Sequence, residues 1–363
     1  MIESRFNHLF LFYEKYKKRC WACGSLDSIK WGKQANRQRY KCKNCDIFFT
    51  IQNESVTKAN LLVWFKRWIV HKHTFEQLSQ ESGYSISTLQ RYFYRQLEDP
   101  PIWQTKQSQP VNLLIDGTYF GNDLCLVIYR DDKIKFTQLY RLTDGEWFEE
   151  IREDLENILS LGIEIQSITC DGHKAVLRAI RFVCPYIPTQ RWLFHIQNMC
   201  RIWLTSRPKS LAAKELRSIV GQLHMIKFHN DKLFWIRQLR QWYSLHKDFV
   251  QEKTLHEQSK RWWYTHKLLR RSFAVIKNAL PDMFHYLDNA NIPKTTNGLE
   301  SFFGHLKDNL SIHRGLSKSY KKSFIKWYLY FKNTEVFWVF LSHTTRWIDM
   351  KKSLPKRRLH STW

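Results

Sequence analysis

At 363 residues the chain can bury at least one sizeable core and divide into two or three domains, and a hydrophobic share of 43% excludes intrinsic disorder. The formal net charge is +25 and unevenly spread, with 18 Lys+Arg against 9 Asp+Glu over 1–110, 9 against 13 over 111–193, and 31 against 11 over 194–363. No apolar run approaches the roughly 18 residues needed to cross a bilayer, and Met1–Arg5 lacks a signal-peptide pattern, so an intracellular protein with no membrane partner is expected. Only 12 Gly and 9 Pro punctuate the chain, so helices should dominate. An acidic middle between basic flanks fits a protein that grips a polyanion at both ends and holds cations between them.

In chain order, the first chemistry is Cys20-Trp21-Ala22-Cys23 and Cys42-Lys43-Asn44-Cys45, with 18 residues between the pairs. Each Cys-x-x-Cys places two thiolates on one tight knuckle, and a short hairpin brings two knuckles together as a tetrahedral zinc site. A redox dithiol needs only one pair, and a disulfide framework suits a short secreted chain, so a structural Zn2+ ribbon over 1–55 is the stronger reading. The intervening hairpin carries Lys30, Lys33, Arg37, Arg39, Lys41 and Lys43, a face suited to DNA. Cys125, Cys170, Cys184 and Cys200 are scattered and read as buried thiols.

From about Asn60 the period turns helical, with Leu61, Leu62, Phe65, Trp68 and Ile69 on one face. Thr74 then caps a helix, Gly83 makes a turn and Ser85 caps a second helix, with Leu78, Tyr84, Ile86 and Leu89 closing a small core. Read as a plain αα-hairpin this carries no function; read as a helix-turn-helix over 56–99 it offers Ser87, Gln90 and Arg91 to a major groove. The proline- and glutamine-containing stretch 100–110 reads as a linker.

Residues 111–195 show strand patterns at Val111–Thr118, Leu124–Tyr129 and Ile134–Tyr140, a helix over Glu146–Leu161, a strand over Ile163–Thr169, a helix over Lys174–Phe182 and a short strand over Thr189–Phe194. The helix's buried stripe is Phe148, Ile151, Leu155, Ile158 and Leu159. Three meander strands, a crossover helix and a fourth strand are the order of a ribonuclease H-like α/β fold with a mixed sheet, which sets the first strand beside the fourth. Both of these strands end in Asp-Gly, at Asp116-Gly117 and Asp171-Gly172. Alone, Asp116 begins an ordinary turn and Asp171 caps a helix. Paired on neighbouring strands, two carboxylates repel, and a divalent cation with hard oxygen ligands, Mg2+ or Mn2+, relieves the repulsion.

Residues 196–290 show helical stripes and no clear strand, and read as a large all-helical insertion whose tryptophans, Trp203, Trp235, Trp242, Trp262 and Trp263, are core more often than base-stacking platforms. Residues 291–363 complete the core with a helix beginning near Asn297 and with basic C-terminal helices. Leu299, Phe302, Phe303, Leu306 and Leu310 pack that helix down. Glu300 either closes a capping box or points toward the two aspartates as a third carboxylate, and Lys307, seven residues on, can meet a phosphate.

Asp-Gly-Thr-Tyr at 116–119, Cys-Asp-Gly-His at 170–173 and Thr-Thr-Asn-Gly-Leu-Glu-Ser-Phe-Phe-Gly-His-Leu-Lys at 295–307 resemble the three acidic motifs of bacterial insertion-sequence transposases of the Mutator-like superfamily. The order of the motifs, the long insertion and the amino-terminal ribbon and helix-turn-helix extend the resemblance over most of the chain. It implies that Asp116, Asp171 and Glu300 hold two Mg2+ ions for DNA cleavage and strand transfer. It also implies as partners the element's terminal inverted repeats, target DNA and a second copy of the chain, with the protein cytoplasmic and associated with the nucleoid. Members of the superfamily often place Cys or Asp three residues before a His; here Trp192 takes that place before His195, to which the resemblance assigns a positioning role. The alternative is a domesticated, non-catalytic DNA-binding regulator.

Overall fold

The computed structural model describes residues 20, 22–34, 37–50, 54–106 and 110–334, with backbone alone for 37 and 54–60. The chain divides into two compact units after Asp99. No described helix is long and apolar enough to cross a membrane.

The first unit opens with a three-stranded antiparallel sheet, β1 (Ser28–Gln34), β2 (Arg37–Cys42) and β3 (Phe48–Thr50), in the order β1-β2-β3. Three helices follow, α1 (Glu54–Val70), α2 (Phe75–Ser82) and α3 (Ile86–Glu98). The turn chemistry read from the sequence is realised in detail. Thr74 and Gln77 form a reciprocal capping box, Gly83 adopts φ +72° and donates to the Ser79 carbonyl, and Ser85 accepts from the Thr88 N–H. The helices close on Phe65, Trp68, Leu78, Leu89, Phe93 and Leu97, all buried, with Phe93 packed 5.4 Å from both Phe65 and Trp68. Ile86, expected in this core, is exposed. The buried stripe of α3 runs Leu89, Phe93, Leu97 at four-residue spacing, and Ile86 stands at the helix's first position, where that stripe has ended.

The second unit is an α/β structure built on a five-stranded mixed sheet in the order β6-β5-β4-β7-β8. Its strands are β4 (Val111–Tyr119), β5 (Cys125–Asp131), β6 (Phe136–Thr143), β7 (Ile165–Cys170) and β8 (Thr189–Arg191). β4, β5 and β6 form an antiparallel meander, and β7 and β8 run parallel to β4. One face carries Val111, Leu113, Ile115, Val127 and Ile168 against α4 (Phe148–Ser160) and α5 (Lys174–Val183). Arg141 on β6 ties α4 down with paired hydrogen bonds of 2.8 and 2.6 Å to the buried Asp154 carboxylate. Leu159, expected in the stripe of α4, is 38% exposed near the end of that helix. The opposite face meets α11 (Asn297–Ile312) and a helix over 318–334, α12. There the buried Arg130 guanidinium lies 4.6 Å from the Phe302 ring centroid, and Asn333 exchanges two 2.9 Å hydrogen bonds with the Thr137 backbone.

Between the fifth strand and α11 lie α6 (Leu193–Leu204), α7 (Leu211–Gly221), α8 (His229–Gln251), α9 (Lys267–Ala279) and the short α10 (His285–Asp288). Their shared core includes Trp235 and Trp242, whose indole N–H groups donate to the Ile219 and Ala212 carbonyls. The insertion is not all-helical. An antiparallel hairpin, β9 (Lys253–Leu255) with β10 (Trp262–Tyr264), interrupts it. Three-residue strands are too short to display a period of two, so the sequence pattern could not separate them from the flanking helices. Two further expectations change. The strand expected over Thr189–Phe194 stops at Arg191, and α6 begins at Leu193. The stretch read as a linker is pinned to β6 over its described part: the Gln138 amide bonds both the N–H and the carbonyl of Lys106, and the Trp103 indole donates to the Gln138 carbonyl. The buried Gln138 amide needs those partners, which fixes the backbone beside it.

Candidate functional site

The strand expected to end at Asp116-Gly117 does not: β4 continues through Gly117 to Tyr119, paired with β5, and its register against β7 sets Asp116 beside the Asp171-Gly172 that follows β7. Ile115 pairs with Cys170, so Asp116 and Asp171 are the next residues outward on neighbouring strands, with backbones about 5 Å apart. Each carboxylate accepts a nearby backbone N–H, Asp116 from Gly117 at 2.9 Å within the strand and Asp171 from His173 at 2.8 Å in the turn after β7. Asp171 therefore holds the turn into α5, but His173, not Asp171, is the helix's capping position.

Glu300 joins them electrostatically from α11. That helix is set by the segment before it: the Thr169 hydroxyl, two residues ahead of Asp171, donates to the Pro293 carbonyl at 3.0 Å. The helix begins at Asn297 after Thr296, with no side-chain cap, so the capping-box alternative for Glu300 is not realised. Leu299, Phe302, Phe303, Leu306 and Leu310 are buried as expected, and Glu300 itself is exposed at the helix's first turn.

A fourth carboxylate, Glu146, enters the cluster and was not anticipated. It precedes α4, is 10% exposed, and has its Oε2 3.9 Å from His173 Nδ1. It packs over Gly117, which has no side chain: a Cβ there would lie 2.9 Å from Glu146 Oε1. The sequence did hold a signal, since Thr143-Asp144-Gly145-Glu146 repeats the strand-then-Asp-Gly pattern a third time.

Burial, reinforced by the neighbouring Asp171, Glu146 and Glu300 and opposed by the Gly117 N–H, pushes the Asp116 carboxyl up to about 8. Burial and Asp171 also raise Glu146, against the opposing influence of His173. Burial raises Glu300, and His195 opposes it. The site thus gathers negative charge that the protein does not neutralise, which favours a bound cation or a carboxyl held protonated. A set of carboxylate oxygens suits Mg2+ or Mn2+ better than softer metals.

His195 lies in the first turn of α6, with Trp192 buried at the preceding capping position and their rings 5.8 Å apart. Lys307 is exposed, its ammonium 5.9 Å from the ring of Phe120, the residue just past β4. Arg191 is a second unanticipated neighbour: buried on β8, it donates to the Asp171 carbonyl at 3.3 Å. It fills the space beside Gly172, whose φ is +92° and where any Cβ would fall 1.9 Å from the guanidinium.

The four cysteines of the first unit form a tighter group. Cys20, Cys23, Cys42 and Cys45 have all their sulfurs within 4.8 Å of one another, with Cys20–Cys45 at 3.6 Å and Cys23–Cys42 at 3.5 Å. Tetrahedral Zn–S bonds of about 2.3 Å set sulfurs about 3.8 Å apart, so the cluster is positioned to bind a metal ion and is compatible with structural zinc. The two knuckles share one backbone form: Gly24 (φ +71°) donates to the Cys20 carbonyl and Asp46 (φ +58°) to the Cys42 carbonyl. The backbone N–H of Cys23 lowers the Cys20 thiol from its ordinary value. Against burial, which raises it, the N–H groups of Asn44 and Cys45 bring Cys42 down to about 7. Among the described residues this is the group of three or more ligands that geometry alone picks out. The four carboxylates are not gathered to that degree.

The residues read as DNA contacts are placed as follows. Ser87 and Arg91 are exposed on α3 and Gln90 is half-buried beside them. Arg39 on β2 is half-buried with its guanidinium 5.1 Å from the Phe48 ring centroid, and the side chain of Arg37 falls outside the described residues. Compared with known proteins, the chain matches no family model and no curated sequence.

Proposed function

We propose that the chain is a DNA transposase with a ribonuclease H-like catalytic core, cutting and joining DNA by divalent-metal-dependent phosphodiester chemistry. The observation that carries this reading is the approach of Asp116, Asp171 and Glu300 from two adjacent strands and one helix, 54 intervening residues separating the first two and 128 the last two. A structural role would pair these acids with cations. Among the described residues none of the three carboxylates has a Lys or Arg within 4.0 Å, in a chain carrying 58 such residues, and Arg191 bonds only the backbone carbonyl of Asp171.

Asp116, Asp171 and Glu300 would hold Mg2+ or Mn2+, with Glu146 adding charge from the far side of Gly117. Such ions, when bound, lower the pKa of an attacking water or DNA 3′-hydroxyl and stabilise the leaving oxygen. His195 positions Glu300, and Lys307 holds a backbone phosphate. Only the nucleophile differs between cutting and joining, so one site serves both. The first unit reads the element's ends through Ser87, Gln90 and Arg91 of α3 and the basic hairpin of the ribbon, stiffened by zinc, while the basic second half holds phosphates. Bringing two ends together calls for a dimer or higher assembly, working at the nucleoid.

The test is a Mg2+-dependent cleavage and strand-transfer assay on DNA carrying the element's ends. Alanine at Asp116, Asp171 or Glu300 should abolish both reactions and leave end binding intact. Undiminished strand transfer in these variants removes the assignment, and a parent protein that binds the ends but cuts no strand points instead to a regulator.

A further inference from the structure

The β9–β10 hairpin stands apart from the rest of the insertion in how it treats tryptophan. Trp235 and Trp242 are buried with their indole N–H groups bonded to carbonyls. Trp262 is 54% exposed and Trp263 46% exposed, and neither indole N–H has a partner among the described residues. Two adjacent exposed indoles on so small a ribbon contribute little to its own stability, since a two-stranded hairpin is marginal without a covering layer. Two large indoles left exposed on one short ribbon mark a place where something else binds.

The register narrows what binds. Trp262 pairs with Leu255, Trp263 with Thr254 and Tyr264 with Lys253, so side-chain alternation sends Trp262 and Tyr264 to one face of the ribbon and Trp263 to the other. A flat surface such as a bilayer covers one face and leaves the other indole in water. A flexible strand carrying flat aromatic groups can serve both. The charges agree: residues 251–271 hold Lys253, Lys260, Arg261, Lys267, Arg270 and Arg271 against Glu252 and Glu257. The Lys253 ammonium lies 4.1 Å from the Trp262 ring centroid and the Arg270 guanidinium 3.7 Å from that of Tyr264, so the ribbon sets cations beside its aromatic rings, the combination that single-stranded nucleic acid meets in its binding grooves. A second copy of this chain is the poorer occupant, because it brings the same positive charge to the contact.

We infer that the β9–β10 ribbon is a stacking platform for unpaired nucleotides, with Trp262 and Trp263 taking base faces and Lys253, Lys260, Arg261 and Arg270 taking phosphates. Only unpaired or terminal bases have a free face, so the platform selects single strands and frayed ends over closed duplex. This extends the proposed DNA chemistry without drawing on the carboxylate site.

Binding is measured in EDTA, with the full chain, against a single-stranded oligonucleotide carrying 2-aminopurine and against a blunt duplex of the same sequence. Trp262→Ala and Trp263→Ala should each weaken single-strand affinity about fivefold or more and reduce the 2-aminopurine fluorescence change, with duplex affinity unaltered. Trp263→Phe, which keeps a ring, should recover part of the loss. Single-strand binding equal to the parent's in both alanine variants overturns the inference, as does an equal loss on both DNAs. Concentration-dependent self-association that disappears in the variants while DNA binding is retained overturns it too. Because this measurement is made in EDTA and reads binding alone, while the cleavage assay reads the carboxylate site, either can fail without the other.

Discussion

Replacing Asp116 by Asn puts a neutral isostere where burial and the neighbouring acids oppose ionisation, and keeps the oxygen that accepts the Gly117 N–H. An acid whose folded value is raised is a liability to the fold above its unfolded value, because the unfolded chain releases the proton while the native protein must keep it or ionise against its surroundings. Asp116 moves from an ordinary 3.8 to about 8 through burial and the neighbouring acids. Each pH unit between those limits is worth about 1.4 kcal/mol. The destabilisation is therefore absent below pH 3.8, about 2 kcal/mol at pH 5 and about 4 kcal/mol at pH 7, and it levels off above about pH 8. In EDTA, the Asp116→Asn protein should exceed the parent in stability by these amounts, and the gap should widen as pH rises from 5 to 7. Cys125 and Cys170 are buried in the same sheet, so thiol labelling of these two residues against urea reports the opening of that sheet alone. Comparing both proteins at one pH cancels the intrinsic pH dependence of the thiol and of every other titrating group. Equal urea midpoints at pH 5 and pH 7, or a less stable variant at pH 7, would refute the placement of Asp116 in an uncompensated acidic cluster.

Two further outcomes follow from the geometry. Gly117→Ala places a methyl 2.9 Å from the flexible end of Glu146, which can swing aside, so the urea midpoint should shift by less than about 1 kcal/mol while Mg2+-dependent cleavage falls at least tenfold. Cys42→Ser removes a buried sulfur from a four-ligand site, so metal analysis should find close to one zinc in the parent and a large loss in the variant; full zinc content in the variant would place the metal elsewhere.

Local chemistry with a fixed spacing was legible in the sequence. Thr74, Gly83 and Ser85 act within four residues of themselves, and the two Cys-x-x-Cys knuckles carry their own turns, so their roles depend little on the rest of the fold. The pairing of Asp116 with Asp171 was legible one step further out, because the strand order that sets β4 beside β7 is written in the succession of elements. Glu146 was not, since its place depends on an absent side chain at Gly117 on another strand. Arg191 was hidden for the same reason, its guanidinium lying where Gly172 leaves room. The β9–β10 hairpin escaped because three residues carry no period, and Ile86 and Leu159 were misplaced because a stripe's helical phase does not say where along the helix its partners stop.

The acidic middle of the chain looks different once its partners are known. Part of its charge has an ordinary explanation: Arg141 pairs with Glu153 and Asp154, Arg152 with Glu149 and Glu156, and Lys135 with Asp132. These acids hold helices to strands or dress a solvated surface, and a surplus of them says nothing of cations. Asp116, Asp171 and Glu146 contrast with these, near-neighbours at one end of the sheet with a single histidine 3.9 Å from Glu146 and, among the described residues, no Lys or Arg ion-paired to any of the three carboxylates, Arg191 reaching only the Asp171 backbone carbonyl. In a chain with 25 more basic than acidic residues, a lysine at this sheet end would be an inexpensive remedy. Part-buried carboxyl groups without a basic ion-pair partner among the described residues are what the proposed cation site requires, and fold stability alone gives no account of them.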